Sequence, residues 1–185
     1  YIIKYVIVTH FHPDHCYGLD VLEKQHIIGS KYALETLRLF EQDGNDILIP
    51  STYVQDELII TFYDHFIHIK TNPGHSKCGT VITVDDTYIL TGDELMATND
   101  FEMCLPYVAV SIKDHINSLT FIQNNHQGKI CLPSHGNVIL EIKEEISKRL
   151  AYLNFASLKI EDIEEFYQDK DYRFLNNHWH KSNIE

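Results

Sequence analysis

The sequence is poor in the features that mark membrane proteins, disulfide-rich scaffolds and nucleic-acid-binding proteins. It has no apolar run near the roughly 20 residues that a membrane-spanning helix needs. It has only 15 lysines and arginines against 27 acidic residues, and its net charge of −12 argues against a nucleic-acid partner, which would require a basic surface. It has no CxxC pair, so its four scattered cysteines predict buried free thiols and a reducing cytoplasm; these are Cys16, Cys78, Cys104 and Cys131.

What is present is typical of a globular α/β protein. The 185 residues suffice for one domain with a sizeable core, and 44% hydrophobic with 23% charged residues is ordinary. Residues 1–170 are predicted to form that domain and residues 171–185 a polar C-terminal tail. Strands are predicted at residues 5–8, 26–29, 58–63, 66–70, 80–84, 87–91 and 129–132. Helices are predicted at residues 19–25, from a Ser30 cap to near Gly44, from a Ser111 cap to about residue 122, at 142–153 and at 160–167.

The densest group of potential metal ligands directly follows the first predicted strand. Residues 9–18 read THFHPDHCYG, with three histidines and an aspartate in six positions. His10 and His12 are two residues apart, so on an extended segment their side chains point the same way. Asp14 and His15 follow Pro13, where the chain turns into a helix. The cluster can thus serve two neighbouring metal ions rather than one.

Three further candidate ligands also follow predicted strands. His75 lies in a Pro-Gly-His turn, Asp93 in Thr-Gly-Asp and His135 in Pro-Ser-His-Gly. Loops that leave rigid strand ends can converge on one place. Imidazole and carboxylate groups are zinc ligands, and seven of them suffice for two sites if one carboxylate bridges. Two metals about 3.5–4 Å apart hold a hydroxide and stabilise a hydrolytic transition state.

These motifs, in this order, resemble the metallo-β-lactamase superfamily: THFHPDH is similar to its HxHxDH motif, and NPGHS, TGD and PSHG to its later ligand loops. The resemblance implies an αββα sandwich. It implies that His10, His12 and His75 bind one metal and that Asp14, His15 and His135 bind a second. Asp93 would bridge the two, and Asp14 would double as an acid/base group.

The chain departs from the family pattern in three places. It begins one strand before the HxHxDH motif, so the fold is expected to be incomplete at its N-terminus. Cys16-Tyr17-Gly18 stands where the family often has a glycine pair, and Glu94 follows Asp93 where large apolar residues are usual. The apolar strand at residues 5–8 is expected to need neighbours on both sides, from a lost upstream segment ahead of a second copy of the chain.

Simpler interpretations exist for each candidate. The first cluster alone can be a polar surface loop, and His75, Asp93 and His135 taken singly are ordinary turn residues. Cys16 lies beside the cluster but is better interpreted as a small buried thiol. The remaining histidines of interest are interpreted as strand, helix or tail residues; these are His65, His68, His115, His126, His178 and His180.

The combined pattern predicts a hydrolase with a dinuclear zinc centre, in which iron or manganese can replace zinc. The implied substrate is a small ester, thioester or lactone, with no nucleic acid or membrane partner and a homodimer as an open possibility. RNA processing would need a basic exosite, and a flavin-linked di-iron enzyme would usually have an acid in place of His12. The alternative is a metal-stabilised binding or regulatory module without catalysis.

Overall fold

The computed structural model describes residues 3–22, 26–97, 103–106 and 110–159. The predicted helix at residues 160–167, the polar tail 171–185 and its His178 and His180 lie outside the described residues. The strands are β1 (Tyr5–Ile7), β2 (His26–Ser30), β3 (Thr52–Val54), β4 (Glu57–Phe62), β5 (His65–Thr71), β6 (Thr80–Val84), β7 (Tyr88–Gly92), β8 (Met96–Ala97), β9 (Met103–Cys104) and β10 (Ile130–Pro133). The α-helices are α1 (Pro13–Cys16), α2 (Ala33–Leu39), α3 (Ile112–His126) and α4 (Ile142–Lys159), and a 3-10 helix spans Tyr17–Val21.

The strands form two main sheets and one short ribbon. The first sheet has the order β1-β2-β3 and is parallel throughout. The second has the order β10-β7-β6-β5-β4, antiparallel except for the parallel pair β10–β7. The ribbon pairs β8 with β9. Among the described residues β1 pairs with β2 alone, so the two-sided pairing expected for residues 5–8 is not supplied there.

The two sheets face each other across an apolar core, and helices cover their outer faces. Ile28 and Val54 of the first sheet pack against Ile69 and Ile82 of the second. The outer face of the first sheet packs against α1, the 3-10 helix and α2. That of the second packs against α3 and α4. The order helix–sheet–sheet–helix buries the apolar side of every layer and confirms the predicted αββα architecture.

The second sheet and its helices follow the hydrophobic pattern closely. Strands β4 to β7 form where strands were predicted at residues 58–63, 66–70, 80–84 and 87–91, and β4–β5 and β6–β7 pair as antiparallel hairpins. Helix α3 begins at its predicted cap, where Ser111 Oγ accepts the Asp114 backbone N–H at 3.0 Å. His115, Leu119 and Ile122 are on the buried side of α3.

Three predicted features of the first half were wrong. Ser30 does not cap a helix; it ends β2, because Gly29 and Ser30 pair with β3, and its hydroxyl accepts the Tyr32 N–H at 3.2 Å. Helix α2 starts at Ala33 and ends at Leu39, short of Gly44. The short helix predicted at 19–25 is instead a 3-10 turn at Tyr17–Val21, with residues 23–25 outside the described part.

None of the helices in the described part of the chain has an apolar stretch long enough to span a bilayer.

Candidate metal centre

All seven predicted ligands lie at one edge of the stacked sheets. Strands β5 and β7 both run antiparallel to β6 and therefore point the same way, and β10 is parallel to β7. The loops after their carboxyl ends carry His75, Asp93 and His135. The segment after β1 carries the remaining four ligands. The strand-end argument from the sequence thus describes how this fold gathers the side chains.

Pro13 separates the two halves of the first cluster. His12 keeps an extended backbone, with φ −72° and ψ 155°, and Pro13 is the first residue of α1. Proline suits this position because it has no N–H that would be left unbonded and its φ is already helical. The abrupt change from extended to helical backbone lets His10 and His12 face one group of side chains while Asp14 and His15 face another.

The structure brings the seven residues together in two groups with metal-site dimensions. His10, His12 and His75 form one group, and Asp14, His15, Asp93 and His135 form the other. Within each group the nitrogen or oxygen atoms that can bind a metal all lie within 4.8 Å of one another. In the first group His75 Nε2 is 3.0 Å from His12 Nδ1.

The Asp93 carboxylate lies between the two groups. Its Oδ2 is 3.7 Å from His75 Nε2, 3.8 Å from His10 Nε2 and 3.3 Å from His15 Nε2. Its Oδ1 is 3.5 Å from His135 Nε2. One carboxylate therefore approaches imidazoles of both groups, which is the arrangement that a bridging ligand requires.

The spacing and chemistry of these atoms fit bound metal ions. Tetrahedral zinc with bonds of about 2.0–2.1 Å holds its ligand atoms about 3.3 Å apart, and the separations here are 3.0–3.8 Å. His10 Nε2, His15 Nε2 and Asp93 Oδ1 are buried without a hydrogen bond of good geometry. Buried polar atoms left in this state destabilise a fold. A metal ion bound at each group would satisfy them.

Electrostatics favour the metal-binding forms of His10, His12 and Asp93, whereas His15, whose pKa is raised, would have to release its proton when a metal binds. Burial, followed by the neighbouring His75, lowers the pKa of His12 to about 4, and burial likewise lowers the pKa of His10. Both rings are therefore neutral at pH 7, as ligation requires. Burial opposes charge on His15 and Asp93, yet their close approach, with His15 Nε2 3.3 Å from Asp93 Oδ2, raises the pKa of His15 and lowers that of Asp93. Asp93 is thus held as a carboxylate.

Directly behind the centre lies a buried polar residue that the sequence did not identify as functional. Glu94 is 4% exposed, and its Oε2 accepts the backbone N–H of His75 at 2.7 Å. Burial raises the pKa of Glu94 to about 8, although hydrogen bonds from Ser118 and from the His75 N–H oppose the shift. His115 Nε2 lies 3.4 Å from Glu94 Oε1. The only sequence signal was an acidic residue at a position where the family usually has an apolar one.

The buried His115 is expected to make folding of the metal-free protein acid-sensitive. Burial lowers its pKa to about 3, against about 6.5 in an unfolded chain. Between these values the unfolded state binds more protons, so the free energy of unfolding should fall by a few kcal/mol as the pH drops from about 6.5 to 3. Denaturant unfolding at pH 7 and pH 4 should show a smaller loss for His115→Gln than for the wild type. If both proteins lost the same unfolding free energy between pH 7 and pH 4, His115 would not cause the acid sensitivity. The contributions of His10 and His12 are the same in both proteins and so cannot produce a difference between them.

The cysteines and the other histidines match their simpler interpretations. Cys16, Cys78 and Cys131 are fully buried free thiols, and burial raises the pKa of Cys16 to about 11. The Cys104 side chain lies outside the described part. His65 pairs with Asp85 at 2.8 Å and His68 with Glu57 at 3.1 Å, both on the exposed hairpin.

Comparison with known sequences and structures gives one family. The metallo-beta-lactamase superfamily sequence model matches residues 3–135. A beta-lactamase-like protein 2 homolog of Caenorhabditis elegans is 22% identical over 153 residues, which is 81% of this chain and 48% of the relative. The chain thus spans about half the length of this curated relative.

Solved structures show the same fold. A metallo-beta-lactamase from Pontibacter korlensis superposes with a TM-score of 0.65 at 16% identity, covering 82% of this chain and 69% of that one. A beta-lactamase domain protein from Burkholderia ambifaria gives a TM-score of 0.66 at 18% identity, over 84% and 56% of the two chains. At these identities the structures establish the fold alone.

Proposed function

Because the chain belongs to the metallo-beta-lactamase superfamily, we propose that it is a hydrolase in which a dinuclear zinc centre acts on a small ester, thioester or lactone. The superfamily consists mostly of hydrolases, and the His/Asp cluster of this chain can hold metal. The observation that carries the finer proposal is the central position of Asp93, whose carboxylate lies 3.3–3.8 Å from histidine nitrogens of both groups.

Each of the seven side chains would bind one or both metal ions. His10, His12 and His75 would hold one ion, Asp14, His15 and His135 the second, and Asp93 would contact both. When bound, such a metal pair supplies a hydroxide nucleophile and polarises the substrate carbonyl. Imidazole and carboxylate ligands also suit iron and manganese.

Asp14 is suited to move protons at this centre. Its side chain is 61% exposed, whereas that of Asp93 is 11% exposed. Its Oδ2 lies 3.2 Å from His15 Nε2 and 3.3 Å from His135 Nε2, so the carboxylate is held at the open side of the cluster. In the proposed reaction Asp14 would accept the proton that water loses in forming the hydroxide nucleophile, and would return it to the leaving group.

Two zinc-type ions per chain are expected on elemental analysis of the purified protein. His12→Ala should lose metal, because His12 Nδ1 lies 3.0 Å from His75 Nε2 within the first group. His65→Ala should keep both ions, because His65 pairs with Asp85 on the exposed hairpin. A wild-type protein with no transition metal above background, and no uptake on titration, would refute the proposed centre.

The alternative function is a metal-stabilised binding or regulatory module of the same fold. All seven ligand positions are occupied by suitable residues, which favours catalysis over a decayed site. A screen of thioesters, lactones and β-lactams with the metal-loaded protein separates the two functions. Metal-dependent turnover of one class would support the hydrolase, and full metal occupancy without turnover of any substrate would support the module.

The proposal extends to partners and location. The substrate is a small molecule, and neither nucleic acid nor a membrane is part of the proposed activity, in keeping with the net charge of −12. Cytoplasm is the proposed location because the three described thiols are free.

Strand β1 has an unpaired edge among the described residues, so we also propose that two copies of the chain can form a homodimer through this edge. Sedimentation of the purified protein as a monomer at all concentrations would exclude the dimer.

A further inference from the structure

We infer that Glu94 is a positioning residue that fixes His75 for metal binding by accepting its backbone N–H. The inference rests on the proposed metal centre and deepens it. Glu94 follows Asp93 directly in the turn after β7, yet its side chain turns away from the cluster into the interior. The 2.7 Å hydrogen bond from the His75 N–H to Glu94 Oε2 joins the loop after β5 to the loop after β7.

The loop that carries His75 is fastened to helix α3 at a second point. Asn72 Nδ2 donates to Ser118 Oγ at 2.5 Å. The Ser118 side chain and the Glu94 carboxyl group both lie directly against Gly74 of this loop. The loop is therefore held at Asn72 by Ser118 and again at His75 by Glu94.

Gly74 shows how closely the loop approaches this carboxyl group. A Cβ atom at Gly74 would overlap Glu94 Oε1 and lie 2.7 Å from the Ser118 Cβ. Only glycine fits between them without displacing Glu94. The backbone before His75 is thus packed directly onto the carboxyl group, and a change in Glu94 is transmitted to the loop.

A buried carboxyl group at this position calls for a functional reason. Burying a polar group costs free energy that an apolar side chain avoids, unless the group satisfies a buried partner. The partner here is the N–H of a residue whose ring lies in the first metal group, where His75 Nε2 is 3.0 Å from His12 Nδ1. Residues that orient metal ligands through hydrogen bonds typically contribute 10–100-fold to metal affinity.

Three variants test the role of Glu94. Glu94→Gln keeps an oxygen that can accept the His75 N–H. Glu94→Met has a similar length and no such acceptor. Leu119→Ala is the control, because Leu119 is fully buried on α3 in the apolar cluster against the second sheet, and its loss lowers stability without touching the loop.

The first measurement is zinc titration of the metal-free proteins against a chromophoric chelator. Glu94→Met should weaken one of the two binding events by about 10–100-fold and leave the other near its wild-type value. Glu94→Gln should stay within about threefold of the wild type, and Leu119→Ala should match it. A folded Glu94→Met variant that binds both ions normally would overturn the inference, as would an equal loss in Glu94→Gln.

The second measurement is hydrogen exchange of the His75 amide in the metal-free proteins. Glu94→Met should speed exchange of this amide by at least about tenfold, while Glu94→Gln and Leu119→Ala leave it near the wild-type rate. Unchanged protection in Glu94→Met would overturn the inference even if no metal bound. Failure of the wild type to take up metal would instead refute the proposed function, so the two failures are distinguishable.

Discussion

Replacing Asp93 with alanine is expected to abolish metal-dependent hydrolysis while the protein stays folded. The carboxylate lies between the two histidine groups, with Oδ2 3.3 Å from His15 Nε2 and Oδ1 3.5 Å from His135 Nε2. Without it, the two proposed metal sites would lose the one carboxylate that both would share. The loss of kcat/KM should be roughly 10²–10³-fold or more, as for other central electrostatic groups. Steady-state kinetics on the best substrate from the screen measures this loss.

Asp86→Ala is the matched control, because it removes the same charge from a fully exposed side chain on the β6–β7 turn. It should keep normal turnover. Metal-free Asp93→Ala should lose some unfolding free energy with its contact to His15 but should stay folded, because the cost of burying the carboxylate offsets part of that interaction. Normal turnover of Asp93→Ala with both metals bound would show that Asp93 does not bridge.

The sequence was most informative where chemistry and local geometry coincide. His10, His12, Asp14 and His15 lie in one short segment whose extended-to-helical change is set by Pro13, so their grouping follows from local rules. His75, Asp93 and His135 are distant in sequence, but each follows a strand, and strands that point the same way end at the same edge. The αββα layers were implied by the family resemblance, whereas the pattern of strands and helices by itself predicted only one mixed α/β domain.

The sequence was least informative where contacts between distant segments determine the local structure or the burial of a residue. Ser30 had the residue type of a helix cap, but pairing of β2 with β3 kept it in a strand. Strand β3 is three residues long and carries no periodicity that a pattern can detect. Glu94 stood out in the sequence only as an acidic residue where the family usually has an apolar one. Its burial depends on Gly74 and His75 from the loop after β5 and on helix α3, which no local rule predicts.

Gly136→Ala is expected to be the most damaging single-methyl change near the centre. Gly136 follows His135 and has φ +86°, a conformation that costs other residues about 1 kcal/mol or more. A Cβ there would also overlap the carbonyl oxygen of Ala97 in β8. The new methyl group would meet the backbone of Ala97, which cannot rotate away as the end of a flexible side chain could. The strain and the overlap together should lower the unfolding free energy by roughly 2–4 kcal/mol.

The damage should extend to the metal centre, because the displaced loop carries His135. The Ala97 N–H lies 3.5 Å from the His135 carbonyl oxygen, so β8 and this loop move together. Gly128→Ala is the control: a Cβ at Gly128 meets nothing within 4 Å. Thermal unfolding and zinc titration of both variants test the prediction. Gly136→Ala should lose stability and one of its two metal-binding events, while Gly128→Ala matches the wild type in both. Equal behaviour of the two variants would mean that the close approach of Gly136 to β8 does not hold His135 in place.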